Sequence, residues 1–202
     1  SSPPRARLTP PLPKDTVTAN VIRLVPPGIV TAHERVGLAP AASWAEQFAA
    51  HDLCFLTVIE RHGKNGGVGY GLLRDFGLTD GAVASSVGHD AHNIVLAGTN
   101  EADLQLALAT VKKLRGGVCA VRGGRILASV ALPIAGLLSD RRAPVVAKET
   151  TALKRAWTKL GCKVPYMGFN LLPLSVIPAL RLTDKGLVDV IGMRILPLFE
   201  PA

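Results

Sequence analysis

The stretch Ala82-Val83-Ala84-Ser85-Ser86-Val87-Gly88-His89-Asp90-Ala91-His92-Asn93-Ile94-Val95-Leu96-Ala97 decides the fold. Two short apolar runs flank a polar cluster, and both runs read as buried strands. The chain therefore turns at the histidines, which rigid elements hold on either side. Functional sites are commonly built in such places. Two of the five histidines fall within four residues here, concentrating the side chains best suited to metal ligation and proton transfer.

Working outward, Leu53 to Ile59 is another apolar run and reads as a fully buried strand. Val17 to Val25 carries β-branched residues and reads as a strand ending at Pro26-Pro27-Gly28. Gly63 to Gly67 is a turn, Val68 to Phe76 a strand, and Gly77 to Gly81 a second turn. After the histidines, Asn100 is a plausible N-cap, and Glu101 and Asp103 put negative charge in the first turn, where the helix dipole favours it. That helix ends with Lys112, Lys113 and Arg115 before Gly116-Gly117. Val118 to Val121 and Ile126 to Leu132 read as a hairpin about Gly123-Gly124. A second helix is expected from Val145 to Leu160, an irregular wrap over 164–178, and a last strand over 187–195. Strands dominate and two helices arrive late. The expected class is α+β: a mostly antiparallel β-sheet covered on one face by a few helices, in a single domain over 17–202. Residues 1–16 are Pro-rich and polar and read as a mobile arm or linker.

Composition narrows the function. The chain has 202 residues, 48% of them hydrophobic but only 4% aromatic, so the core rests on Val, Leu, Ile and Ala. No apolar stretch is long enough to span a membrane without interruption, and no secretory signal opens the chain. Cys54, Cys119 and Cys162 are odd in number and far apart, which points to a reducing, cytoplasmic compartment. The net charge is +8, but the basic residues are dispersed and stacking aromatics are scarce, so nucleic acid is not expected as a partner. A homo-oligomer stays open.

His89 and His92 could face one metal, with Asp90 as third ligand or supporting partner. A hydrolytic metal site needs at least three ligands and an open position, and the remaining histidines are only His33, His51 and His62. The pattern is neither HExxH nor the H-x-E…P-C-x-x-C of zinc-dependent cytidine-type deaminases. Alternatively, the side chains satisfy the turn itself, with Asp90 and Asn93 as turn formers. A third reading is part of a site completed by another domain or subunit. Glu60-Arg61-His62 leaves the end of the buried strand and can face a ligand or simply cap the strand. Ser85 and Ser86 could donate hydrogen bonds to a ligand, although no nucleophile elbow surrounds them. The glycine pairs match no phosphate loop. Asp140 reads as a helix cap and Thr183-Asp184 as a turn.

Taken in order, several segments resemble the C-terminal domain of the bacterial and archaeal adenine deaminases, of the amidohydrolase superfamily. They are Val58 to Gly63, Gly77-Leu78, Gly81 to Ser86, Val87 to Asn93, Ala97 to Glu101, Leu132 to Asp140, Ile177-Pro178 and Leu182 to Val190. The resemblance covers roughly residues 20–200. Gly88, Ala91 and Leu138 depart from the family's usual Ala, Ser and Met. The resemblance implies hydrolysis of adenine to hypoxanthine and ammonia by a metal-activated hydroxide, on a two-metal centre of manganese or iron. It also implies that the ligands lie in a preceding (β/α)8 barrel with no counterpart here, so that the chain alone binds no cofactor and is inactive. His89, Asp90, His92 and Asn93 would then face the barrel mouth near the substrate, with Glu60, Arg61, His62, Ser85 and Ser86 close by. The alternative is a stand-alone small-ligand-binding or scaffold protein that keeps the fold without catalysis.

Overall fold

The computed structural model describes residues 7–26 and 28–202. Its centre is β3 (Leu53–Ile59), in which six of seven residues are buried. Antiparallel partners flank it: β4 (Val68–Arg74) on one side and β6 (Ile94–Gly98) on the other. Beyond β6 come β5 (Ala82–Ser85), β7 (Gly117–Arg122) and β8 (Arg125–Ala131), all antiparallel. Beyond β4 lies β1 (Val17–Leu24), the one parallel neighbour. β1 also pairs with β2 (Thr31–Leu38) and the C-terminal β12 (Phe199–Pro201).

The alternation of side chains along β3 divides the core in two. Leu53 and Phe55 join Leu8, Phe48, Leu96, Leu104 and Val121 on one face. Cys54, Leu56 and Val58 join Leu73, Val83, Val95, Trp157 and Phe169 on the other. The first face is covered by α1 (Trp44–His51) and α2 (Glu101–Lys113), the second by α3 (Ala143–Lys159) and α4 (Tyr166–Asn170). The fold is α+β and mostly antiparallel, as expected, but helices lie on both faces instead of one. Among the described residues no helix is long and apolar enough to cross a membrane.

A second sheet of β9 (Leu180–Thr183), β10 (Gly186–Asp189) and β11 (Arg194–Leu196) replaces the single last strand expected over 187–195. It packs against β4 so closely that a Cβ on Gly69 would lie 1.9 Å from the Thr183 carbonyl oxygen. Only glycine permits that approach. The sequence reading also missed β2 and α1. β2 is a polar strand with alternating exposure, and α1 is only eight residues long. Residues 1–6 of the expected arm lie outside the described residues. Within the rest of the arm, Leu8 is buried, its N–H donates to Glu101 (2.9 Å), and its carbonyl accepts from Thr57 Oγ1 (2.7 Å), while Lys14 to Thr16 are exposed.

Two buried charges fasten the layers. Arg181 on β9 is fully buried with no carboxylate partner among the described residues, and it donates instead to the carbonyls of Ile29, Leu171, Ile177 and Pro178. Burial pushes its pKa down to about 10, so it stays charged at neutral pH. It thus joins the irregular 171–178 wrap to the loop before β2. Asp103 in α2 accepts from the N–H groups of Gly123 (3.1 Å) and Gly124 (2.9 Å) and from Asn100 Nδ2 (3.1 Å), tying the β7–β8 turn to the start of the helix. Burial alone would raise its pKa, but the bonds from Gly124, Asn100 and Gly123 outweigh it and hold the carboxyl below its usual range.

Arg181→Met should lower unfolding free energy by about 3–5 kcal/mol, because four carbonyls lose a charged donor; urea denaturation reads this directly. Asp103→Asn should cost roughly 1–2 kcal/mol at pH 7. The native carboxyl has a depressed pKa, so its stabilisation is complete above the unfolded value of about 3.9 and fades as pH falls through the folded value. The gap between parent and variant should therefore close in acid, as followed by urea titrations across pH.

Candidate functional site

The site grows from the ends of three strands. Ile59, the last residue of β3, is paired with Ile94, the first of β6. This register sets Glu60-Arg61-His62 beside the His89–Asn93 loop that enters β6. On the other side of the loop, β5 ends at Ser85.

Arg61 binds the pieces together. Its Nε donates to the His92 carbonyl, its Nη2 to the Ala135 carbonyl (2.7 Å), and its backbone N–H to Asn93 Oδ1 (3.4 Å). Its guanidinium lies against Gly136, where a Cβ would come within 2.9 Å of it; Gly136 also has φ +75°. Partial burial lowers the Arg61 pKa. No ion pair to Arg61 occurs among the described residues. The planar fork suits two carbonyls on separate loops in a way an ammonium cannot match.

Glu60 organises the loop that follows it. Its carboxylate accepts backbone N–H bonds from His62, Lys64 (2.9 Å), Asn65 (3.3 Å) and Gly66 (3.2 Å). Desolvation pushes its pKa up, and the four N–H groups together more than reverse this, holding it below the usual range. His62 is exposed, and its Nε2 lies 2.7 Å from the Ala91 carbonyl oxygen. A carbonyl only accepts, so Nε2 carries the proton in that bond, and Nδ1 of the neutral ring is an acceptor.

Within the loop, the His89 N–H donates to the Asn170 carbonyl (2.8 Å), linking it to α4. The His89 and His92 rings are 5.6 Å apart between centroids. Asp90 is exposed, and His92 takes a left-handed backbone (φ 51°) that redirects the chain. The Nδ1 of His92 is buried with no hydrogen-bond partner among the described residues. Asn93 is buried, and its Nδ2 donates to Asp184 Oδ1 (3.1 Å).

The structure thus brings together Glu60, Arg61, His62 and His89 to Asn93. Ser85 and Ser86 are fully buried and turn inward: the Ser85 hydroxyl accepts from Val87 N–H (3.1 Å), and Ser86 Oγ donates to the Gly136 carbonyl (2.6 Å) and accepts from Gly117 N–H (2.8 Å). Their role in the described fold is to hold backbone. His33 sits on β2 at 2.7 Å from Asn20, and His51 ends α1. Among the described residues no group of three or more His, Cys, Asp or Glu side chains is placed to hold a metal ion. Among the described residues, then, no third such side chain joins His89 and His92.

Two contributors escaped the sequence. Asp184 reads as a turn residue, yet it spans the gap between the sheets to Asn93 and Asn65 (3.4 Å). It helps line a groove of about 480 Å³ with Glu60, His62, Lys64, Ala91 and Asn93. The 133–138 turn is the other. Nothing in its composition announces that it sits on Arg61.

The sequence profile described as the adenine deaminase C-terminal domain matches residues 28–193. The chain belongs to that family. The adenine deaminase C-terminal domain seen here is 58% identical over 199 residues to an adenine deaminase of a Bradyrhizobium species, which is 98% of this chain and 33% of that protein. It is 57% identical over 201 residues to an adenine deaminase of a Chelativorans species, 99% of this chain and 34% of that protein. With the adenine deaminase of Moorella thermoacetica it shares 42% identity over 194 residues, covering 95% and 33%. The chain spans about a third of the length of these relatives.

Arg61→Leu should destabilise the domain by about 1–3 kcal/mol and speed amide hydrogen exchange through 89–93 while leaving β3 protected. Arg61→Lys should recover less than half of the loss. Exchange rates in the loop equal to the parent's would contradict the clamp.

Proposed function

We propose that this chain acts as the C-terminal part of a hydrolytic adenine deaminase, with its His89–Asn93 loop on the purine side of an active site whose metals are held by the preceding part of the enzyme. The observation that carries the reading is the family match over 28–193, joined to adenine deaminase relatives of which the chain covers about a third.

The reaction is replacement of the purine amine by oxygen from water, giving hypoxanthine and ammonia. By the family resemblance, a manganese or iron pair in a (β/α)8 barrel supplies the activated hydroxide when bound. By the same resemblance the metals are held outside this chain, and among the described residues no three His, Cys, Asp or Glu side chains come together. What the chain offers instead is hydrogen bonding and proton exchange at an adjacent edge. His62, His89 and His92 provide imidazole donors and acceptors suited to purine nitrogens. Arg61 holds the His92 carbonyl, Glu60 the His62 N–H, and Asn170 the His89 N–H. The unpartnered Nδ1 of His92 supports this assignment, since a buried polar atom normally finds a partner. Adenine breakdown in the cytoplasm fits the reading, as do the three free cysteines.

The test is a chimera in which this chain replaces the matching third of the Bradyrhizobium adenine deaminase. The chimera should release ammonia from adenine. H89A/H92A in the chimera should lower kcat/KM roughly 100-fold or more with its melting temperature kept. Full activity of the double variant would exclude the loop from the active site. An inactive parent chimera, with adenine binding by the isolated chain, would favour the stand-alone binding protein.

A further inference from the structure

The 133–138 turn displays large apolar side chains beside the histidine loop. Ile134 is 49% exposed and Leu138 63% exposed, and Val145 in the first turns of α3 is 43% exposed. This exposure is built in. Leu138 N–H donates to the Ile134 carbonyl (3.1 Å), Ile134 N–H to the Leu138 carbonyl (3.1 Å), and Leu137 N–H to the Ile134 carbonyl (3.0 Å). Ala135 (φ 54°) and Gly136 (φ 75°) both take left-handed backbone to close the turn. From below, Ser86 Oγ holds the Gly136 carbonyl, and from the side Arg61 holds the Ala135 carbonyl. A turn fixed at so many points does not fold its apolar residues back into the core.

The same guanidinium that holds Ala135 also holds the His92 carbonyl. The turn and the histidine loop are therefore two edges of one rigid surface, with Arg61 between them. Apolar side chains displayed next to a polar cluster are the usual composition of an interface.

We infer that the 133–138 turn and the His89–Asn93 loop form one continuous face on which the rest of the enzyme seats, Ile134 and Leu138 supplying its apolar anchor. The inference rests on the functional reading above, and the occupant follows from length: about two-thirds of each adenine deaminase relative lies outside the region this chain matches. That missing part must leave the loop accessible to substrate while fixing its distance from the reacting carbon. An apolar anchor on a turn locked to the loop does both.

The test is thiol footprinting of L138C in two settings, the isolated chain and the chimera, read by peptide mass spectrometry. Cys54 and Cys119 are buried, and the peptide assignment separates every other thiol. M193C, at a position 89% exposed on the turn between β10 and β11, is the comparison. L138C should label at least about tenfold more slowly in the chimera than in the isolated chain, since thiol reaction requires access, while M193C should label equally in both. Equal labelling of L138C in the two settings overturns the inference. Equal protection at 193 and 138 does so too, because the covered face would not be the one named. Protection of L138C in the isolated chain that grows with concentration overturns it in favour of a second copy of the chain. The functional reading is scored separately by ammonia release: an active chimera with an unprotected L138C sinks the docking face alone, and an inactive chimera with a protected L138C sinks the deaminase reading alone.

Discussion

The pairing of Ile59 with Ile94 where two central strands of the buried sheet end and begin is the constraint on which the rest depends. β3 is hydrogen-bonded on both sides and covered on both faces, so it has no freedom to slide. A shift of one residue would exchange Phe55 and Leu56 between the two core layers. That fixed register carries Arg61 out of the sheet at the point where the histidine loop comes in. Arg61, Glu60 and Asp184 then reach His92, His62 and Asn93 over short distances.

The site is held by hydrogen bonds of charged side chains to loop backbone and to Asn93. Arg61 satisfies carbonyls on two loops, Glu60 satisfies the N–H groups of its own loop, and Asp184 reaches across from the second sheet to Asn93. Left over are side chains with unused capacity: the exposed His62, the half-buried His89, and His92 with a buried Nδ1 awaiting a partner. His62 and His89 thus keep part of their rings at the surface beside the loop.

Much of this was legible in the sequence, and the reasons are physical. β3, β5, β6 and α2 declared themselves because burial on both faces demands continuous apolar runs and because Asn100 and the acidic first turn mark a helix start. The position of the histidines at a strand-to-strand turn follows from the same runs. β2 stayed hidden because its exposed positions are polar, and β12 because three residues paired to the distant β1 carry no periodicity. Helices on both faces, in place of one, reflect a sheet whose two sides are equally apolar, which a list of strands does not reveal. Ser85 and Ser86 looked available because a hydroxyl beside a cluster invites a ligand; only the fold shows backbone groups consuming them. Asp184 and the 133–138 turn could not be found, since long-range partners leave no local pattern.

The most direct test of the central claim is a crystal structure of the chimera with a purine analogue bound. The account predicts an imidazole nitrogen of His89 or His92 within hydrogen-bonding distance of the purine, about 3 Å, or one water away. A purine whose whole edge is met by other residues, with the His89–Asn93 loop facing solvent on another side of the molecule, would contradict it.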